Sequence, residues 1–208
     1  MIDFESSTIK QFDKWAPIYD RYLFFPFVFA NRRIIEILKQ DKFRSILDVG
    51  CGTGILLNYL NSRNEDIELN GLDISPEMAR LSREKLGESA NIIVGSSENI
   101  PFEKEKFEIV TCSTSFHHYA NPQKSVDEMY RVLKPGGKLI ILDPFLDGKI
   151  RKMICNVLNL LFQEKDVKMF RSFELKELFI NAGFINVNQR VFSFYKLITI
   201  GQKEHNFG

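Results

Sequence analysis

The 208-residue chain holds only three cysteines and one tryptophan. Cys51, Cys112 and Cys155 make an odd number without metal-like spacing. That excludes a disulfide framework and a cysteine-bound zinc cluster, and it fits reduced, buried thiols in a cytoplasmic protein with no metal. A dominant charge is missing too. Lys and Arg number 28 against 27 Asp and Glu, a net charge of +1. Such a balance gives no global field toward nucleic acid or an anionic membrane. Long apolar runs are also absent. The longest, Tyr22 to Ala30, contains Pro26 and falls short of the ~20 residues a membrane-spanning helix needs. The first residues, Met1 to Glu5, lack the basic-then-apolar layout of a signal peptide. Without repeats, low-complexity segments or Pro/Gly/Ser linkers, one domain over residues 1–208 is expected.

What is present is ordinary for a soluble globular protein: 44% hydrophobic and 26% charged residues. The 19 phenylalanines predict an aromatic core and an apolar pocket. Residues 6–40 read as two helices around an aromatic turn, Trp15 to Asp20. Strands and helices then alternate. Strands are expected at Ser45–Val49, Glu68–Asp73, Asn91–Val94, Phe107–Ser113 and Gly137–Asp143. Helices are expected at Gly54–Asn61, Pro76–Leu86 and Pro122–Leu133. Ser75-Pro76 and Asn121-Pro122 are N-caps with proline at the first helical position. Lys134-Pro135-Gly136-Gly137 turns a helix into a strand. Alternation of this kind builds a mostly parallel, doubly wound α/β sheet.

The last third changes character. A Leu-rich helix over 149–162 and a second over Ser172–Ala182 precede two close strands, Phe184–Val191 and Phe194–Ile200. Strands joined by so short a turn pair as an antiparallel hairpin.

The richest signal is Leu47-Asp-Val-Gly-Cys-Gly-Thr-Gly54. It lies where the first strand turns into a helix, and glycine there lets backbone approach a ligand closely. The helix start offers free N–H groups to a phosphate or carboxylate. Asp73 closes the second strand, where a carboxylate accepts from both hydroxyls of a ribose. Nicotinamide sites use Gly-x-Gly-x-x-Gly, whereas Asp48 here opens Asp-x-Gly-x-Gly-x-Gly. A carboxylate at that place repels a pyrophosphate and attracts an ammonium. An amino acid head joined to a ribose satisfies Asp48, the loop and Asp73 together, and S-adenosylmethionine is such a ligand.

Five motifs in order carry a family resemblance: the glycine loop, Gly71-Leu-Asp-Ile-Ser75, Gly95-Ser-Ser-Glu-Asn-Ile-Pro-Phe102, Phe116-His-His-Tyr119 and Tyr130-Arg-Val-Leu-Lys-Pro-Gly-Gly137. Over about residues 10–145 the chain resembles class I S-adenosylmethionine-dependent methyltransferases, especially the small-molecule group with ubiquinone and menaquinone biosynthesis enzymes. That resemblance implies a Rossmann-like, seven-stranded sheet ending in the hairpin. It implies methyl transfer by in-line displacement from S-adenosyl-L-methionine, with S-adenosyl-L-homocysteine as product. Asp48, Gly50, Cys51, Gly52 and Gly54 would hold the methionine end, and Asp73 the ribose. Ile74 would pack on the adenine, and Ser96 and Ser97 would line its edge. Ser113, with Thr114, would close the site near the sulfonium. The family usually has Asp where Ser96 stands, so the adenine edge here lacks a charge that Glu98 would have to replace.

Cys51 reads as a small filler rather than a nucleophile. His118, His117 and Tyr19 are the candidate bases if the acceptor must lose a proton. The plainer reading of the histidines is that one packs and the other touches ligand without moving a proton. Residues 1–40 are expected as a helical lid and 144–182 as a helical substrate-side insertion. The expected partner is a small-molecule acceptor, apolar or aromatic, with the oligomeric state left between monomer and homodimer. A non-catalytic S-adenosylmethionine-binding protein and a nicotinamide-dependent oxidoreductase are the competing readings. A nucleic-acid methyltransferase is disfavoured by the lack of a basic stripe and by Ser113-Thr114-Ser115-Phe116 after the fourth strand.

Overall fold

A computed structural model describes residues 4–22, 24–63, 66–148, 168–193 and 195–205. The strands are β1 (Ser45–Val49), β2 (Glu68–Asp73), β3 (Ala90–Val94), β4 (Phe107–Ser113), β5 (Leu133–Pro144), β6 (Ile185–Ser193) and β7 (Lys196–Gln202). The helices are α1 (Phe4–Tyr22), α2 (Phe24–Leu38), α3 (Ile55–Asn61), α4 (Pro76–Leu86), α5 (Pro122–Val132) and α6 (Ser172–Asn181). One seven-stranded sheet runs in the order β3-β2-β1-β4-β5-β7-β6. Its first five strands are parallel, and β7 runs antiparallel between β5 and β6. The doubly wound sheet with its terminal hairpin is therefore as the alternation implied.

Helices cover both faces, so parallel strands are buried on two sides and read as nearly unbroken apolar runs. Ile34, Leu38, Leu56, Leu57, Ile109, Ile140 and Ile198 share one core layer beneath α2, α3 and α4. Phe107, Val110, Phe116, Met129, Leu139 and Phe179 form the other beneath α5 and α6. Full burial of each such side chain contributes on the order of 1.5–3 kcal/mol. The strand order reverses at β1, between β2 and β4. A doubly wound sheet opens its ligand crevice at such a switch, beyond the carboxyl ends of the strands.

Local chemistry sets the helix starts. Ser75 Oγ accepts from Met78 N at 3.1 Å, and Pro76 takes the first helical position, where its missing N–H costs nothing. Asn121 Oδ1 does the same for Lys124 N at 3.2 Å, before Pro122.

Three expectations need correction. Trp15 to Asp20 is not a turn: α1 runs unbroken through it to Tyr22, with Pro17 inside. An internal proline forfeits a backbone bond, but side-chain bonds from Asp13 and Asp20, on either side of Pro17, tie the helix to the body of the domain. The strand expected at Gly137 begins at Leu133, because Gly136 N donates to Lys203 O and Lys203 N to Gly137 O, which extends the pairing toward the helix. The hairpin strands begin at Ile185 and Lys196, and β7 ends at Gln202. The Leu-rich stretch 149–162 lies outside the described residues. The described helix of the last third, α6, packs beside α5, β6 and β7.

Candidate functional site

The first turn of the glycine loop folds back on the neighbouring strand: Gly50 N and Cys51 N both donate to Leu72 O, at 2.7 and 3.1 Å. Gly50, Gly52 and Gly54 all have positive φ, at 72°, 54° and 76°, a region costly for side-chain-bearing residues. Asp73 clamps the loop from β2. Its carboxylate accepts from Gly52 N at 2.7 Å and from Ser75 N at 2.9 Å. Gly52 therefore presents bare backbone beside a carboxylate, and a Cβ there would project into open space.

A cavity opens over this junction. Gly50, Gly52, Asp73, Ile74, Ser96, Ser97, Ser113 and His118 line it, together with Tyr19 from α1. Nine of the residues singled out in the sequence thus meet at one place. Asp48, Cys51, Gly54 and His117 stand behind the wall. Asp48 is 3% exposed and accepts from Thr111 Oγ1 at 2.7 Å. It stands one residue before the end of β1, a strand buried along its whole length. Cys51 is likewise buried, and burial followed by the charges of Asp73 and Asp48 pushes its thiol well above the usual range. It is no nucleophile.

The two carboxylates share a low-polarity setting. Burial raises Asp48 to about 7, against the bond from Thr111, with the Asp73 charge adding to the rise. Burial raises Asp73 to about 6, opposed by the amides of Ser75 and Gly52. A cation or a pair of hydroxyls brought beside them would favour their charged forms.

The wall after β4 is strained. Thr114, β-branched, has φ 57°, and its N–H donates to Leu142 O at 2.8 Å. Conformations of this cost gather where backbone shapes a site. Ser115 Oγ and Tyr119 OH both reach Val49 O, at 3.3 and 3.2 Å, and so brace the loop start.

The candidate bases differ sharply. His118 packs edge-on against Phe12 with ring centroids 5.0 Å apart, and burial, then the neighbouring His117, push its pKa well below the usual value. It is neutral near pH 7. Tyr19 is raised well above the ordinary phenol range by burial, then by Asp73 and Asp20, so it stays a protonated phenol rather than a ready base. His117 Nδ1 sits 3.0 Å from Asp143 Oδ1. Sequence reasoning missed Asp143, and it also missed Glu5, Thr8 and Phe12, which α1 brings to the cavity. The unbroken helical spacing of the α1 residues was the signal, hidden by Pro17.

Residues 47–141 match the family model described as a methyltransferase domain. Residues 47–141 therefore form a methyltransferase domain. The methyltransferase chain is 33% identical over 144 residues to the ubiquinone/menaquinone biosynthesis C-methyltransferase UbiE of Geotalea daltonii, covering 64% of this chain and 61% of that protein. It thus spans less than two thirds of the length of that relative. An uncharacterised protein of Methanocaldococcus jannaschii, MJ1123, is 33% identical over 178 residues, 85% of this chain and 82% of that one. Among solved structures, a chain from the Haloferax volcanii complex containing the Trm112 methyltransferase activator superimposes with a TM-score of 0.81 at 21% identity, covering 96% of this methyltransferase chain and 99% of that chain. That likeness speaks for the fold.

Proposed function

We propose that the protein transfers a methyl group from S-adenosyl-L-methionine to a small apolar or aromatic acceptor. The observation that carries this reading is the meeting of Gly50–Gly52 and Asp73 at the strand switch within a methyltransferase domain. Asp73 suits a ribose: after two backbone amides, its carboxylate keeps acceptor capacity for hydroxyls. Ile74, Leu72 and Met78 supply the apolar surface a base needs. The buried carboxylates Asp48 and Asp73 give the head of the ligand a negative field, which suits an ammonium.

S-adenosylmethionine supplies a methyl group on a cationic sulfur, an already good leaving group. The chain's own share is positioning and exclusion of water. Ser113 and Thr114 bound the cavity beside the glycine loop, and Phe12, Thr8 and Tyr19 roof it. The cavity measures about 70 Å³. Small-molecule sites commonly need about 300 Å³ or more. We read α1, whose Thr8, Phe12 and Tyr19 cover the cavity, as a lid that swings out to admit the ligand. For an acceptor that must lose a proton, His118 at the cavity wall is the candidate base, and its lowered pKa makes it a weak one. Residues 144–148 and 168–171 are the described remainder of the acceptor side.

The test is binding and product. Titration with S-adenosylhomocysteine and with NAD should show binding of the former alone. Incubation with S-adenosylmethionine and naphthoquinol-type or other apolar aromatic acceptors should release S-adenosylhomocysteine. NAD binding in its place would point to the oxidoreductase reading, and binding without turnover on any acceptor to a non-catalytic protein.

A further inference from the structure

Three carboxylates on α1 grip the tips of three adjacent strands. Asp20 Oδ1 accepts from Thr53 Oγ1, Asp13 Oδ1 from Ser75 Oγ and Glu5 Oε1 from Ser96 Oγ, each at 2.5 Å. They lie about two helical turns apart, so they share one face. Thr53, Ser75 and Ser96 follow β1, β2 and β3, so the order along the helix matches the order across the sheet.

The three do different work. Asp13 also accepts from Glu77 N at 3.3 Å, and Asp20 pairs with Lys85 Nζ at 2.8 Å. Of the three, Glu5 alone also lines the cavity. One hydroxyl fills one of roughly four acceptor positions on a carboxylate, which leaves Glu5 able to accept more.

The sheet places the ligand's ends. Asp73 pairs with Val94, which sets the loop 95–98 directly beyond the ribose position, while the glycine loop lies on the other side. A nucleoside with its ribose on Asp73 and its amino acid head over Gly50–Gly52 therefore points its base at Ser96. The neighbouring polar side chains of the loop lean toward α5. Ser97 Oγ bonds Ser125 Oγ at 2.9 Å, and Glu98 Oε1 accepts from Asn121 N at 2.8 Å. Glu98 thus ties the loop to the start of α5, whereas Glu5 bonds Ser96 itself.

We infer that Glu5 is the residue that receives the 6-amino group of the adenine, so that the lid itself reads the base. This rests on the reading of the cavity as an S-adenosylmethionine site. A carboxylate accepts and does not donate, so it suits an amino group and opposes a 6-oxo group. Placing this acceptor on α1 couples closure to the correct purine: beyond its bonds to Thr53, Ser75 and Ser96, the helix gains a further bond on closing when an amino donor is present.

Calorimetry with S-adenosylhomocysteine and S-inosylhomocysteine, which carries a 6-oxo group, tests the assignment. Wild type should prefer the adenosyl ligand by about tenfold or more. In Glu5→Gln, whose amide both donates and accepts, the preference should fall to about threefold or less. In Glu5→Ala, which also removes the bond to Ser96, the adenosyl ligand should lose more affinity than the inosyl ligand, so that the ratio falls. Asp13→Ala serves as the lid control: it should weaken both ligands by the same factor and keep their ratio. A Glu5→Gln protein with the wild-type ratio, or a wild type without preference, overturns the role of Glu5 and leaves the cofactor reading intact. A wild type that binds neither ligand overturns the cofactor reading and this inference with it.

Discussion

His117 Nδ1 lies 3.0 Å from Asp143 Oδ1 and 3.2 Å from Oδ2, with both residues buried. The nearer oxygen makes Nδ1 the protonated nitrogen, donating to the carboxylate. The His117 ring lies 4.0 Å from that of His118, so the pair supports the cavity wall from behind. The same carboxylate offsets the burial that lowers Lys196. Asp143→Ala removes both partnerships at once. It should destabilise the protein by about 2–4 kcal/mol, the range for stranding a buried hydrogen-bonded or charged partner. Asp143→Asn keeps an acceptor for Nδ1–H and should cost less. Urea denaturation reads both, and an alanine variant as stable as wild type would refute the pairing.

His118 stands in front of that support, and Asp73 at the centre of the cavity. Asp73→Ala should weaken S-adenosylhomocysteine binding at least about tenfold, since it removes a charged acceptor of hydroxyl hydrogens. His118→Ala should lose less affinity, because a neutral imidazole packed on Phe12 offers chiefly contact. Comparing the two by calorimetry orders them. If His118→Ala instead abolished turnover while keeping affinity, it would be the base.

Much of this was legible from the chain. The strands β1 and β4 announce themselves because parallel strands buried on both faces become short, mostly apolar runs. Gly50 and Asp73, which line the cavity, stand out because their spacing follows the strand–loop–helix unit. Long-range partners do not. Thr111 lies 63 residues from Asp48, and Asp13 lies 62 residues from Ser75. Only the sheet order and the path of α1 bring them together. Asp48 was expected at the ligand and instead lies behind the wall, because no residue spacing tells which way a buried strand carboxylate leans. α1 misled for a local reason: Trp15, Pro17 and Asp20 carry the composition of a turn, and tertiary anchoring overrides it.

The lid anchors differ in their setting, and that predicts their ranking. The partner hydroxyls Ser75 and Thr53 are both buried, but Asp13 also accepts from Glu77 N and so holds the start of α4 twice. Asp20 and Lys85 remain 45% and 27% exposed at the side chain, and such a pair contributes about 0–1 kcal/mol. Asp13→Ala should therefore loosen α1 more than Asp20→Ala. Hydrogen exchange over residues 5–20 should rise several-fold in the first and modestly in the second, with β1 and β4 unchanged. Equal effects would mean that the bond from Glu77 N to Asp13 adds nothing to the latch.

Ligand binding should depend on pH through Asp73 and Asp48. Their folded values, about 6 and about 7, exceed the ordinary 3.8 because burial disfavours the charged forms. The ligand-free fold therefore holds these protons more tightly than the unfolded chain. The stabilisation from that is full below about pH 4 and is lost as pH rises through 6 and 7. Ribose hydroxyls and an ammonium favour the carboxylates, so S-adenosylhomocysteine affinity should rise from pH 5 to 7.5, by up to about tenfold per unit for each group. Binding at pH 6 should release protons, which calorimetry in buffers of different ionisation enthalpy detects. Asp73→Asn should flatten the acidic part of the profile, and an unaltered profile would remove Asp73 from the linkage.

Gly50 and Gly52 share the glycine loop yet should tolerate alanine very differently. Both have positive φ, so each alanine costs backbone strain of on the order of 1 kcal/mol. At Gly52 a Cβ meets nothing within 4 Å, so strain is the whole cost to folding. At Gly50 the Cβ would sit 2.3 Å from Ser115 Oγ and 2.6 Å from Ser115 Cβ. Ser115 cannot step aside freely, because its hydroxyl is held to Val49 O and lies against Cys112 and Tyr119. Gly50→Ala should thus lower the thermal midpoint well beyond Gly52→Ala and deform the wall under Thr114. Trimming the obstacle gives the check. In a Ser115→Gly background the Gly50→Ala penalty should shrink toward the Gly52→Ala value, and a penalty that stays the same would place the cost in the backbone rather than in the contact with Ser115.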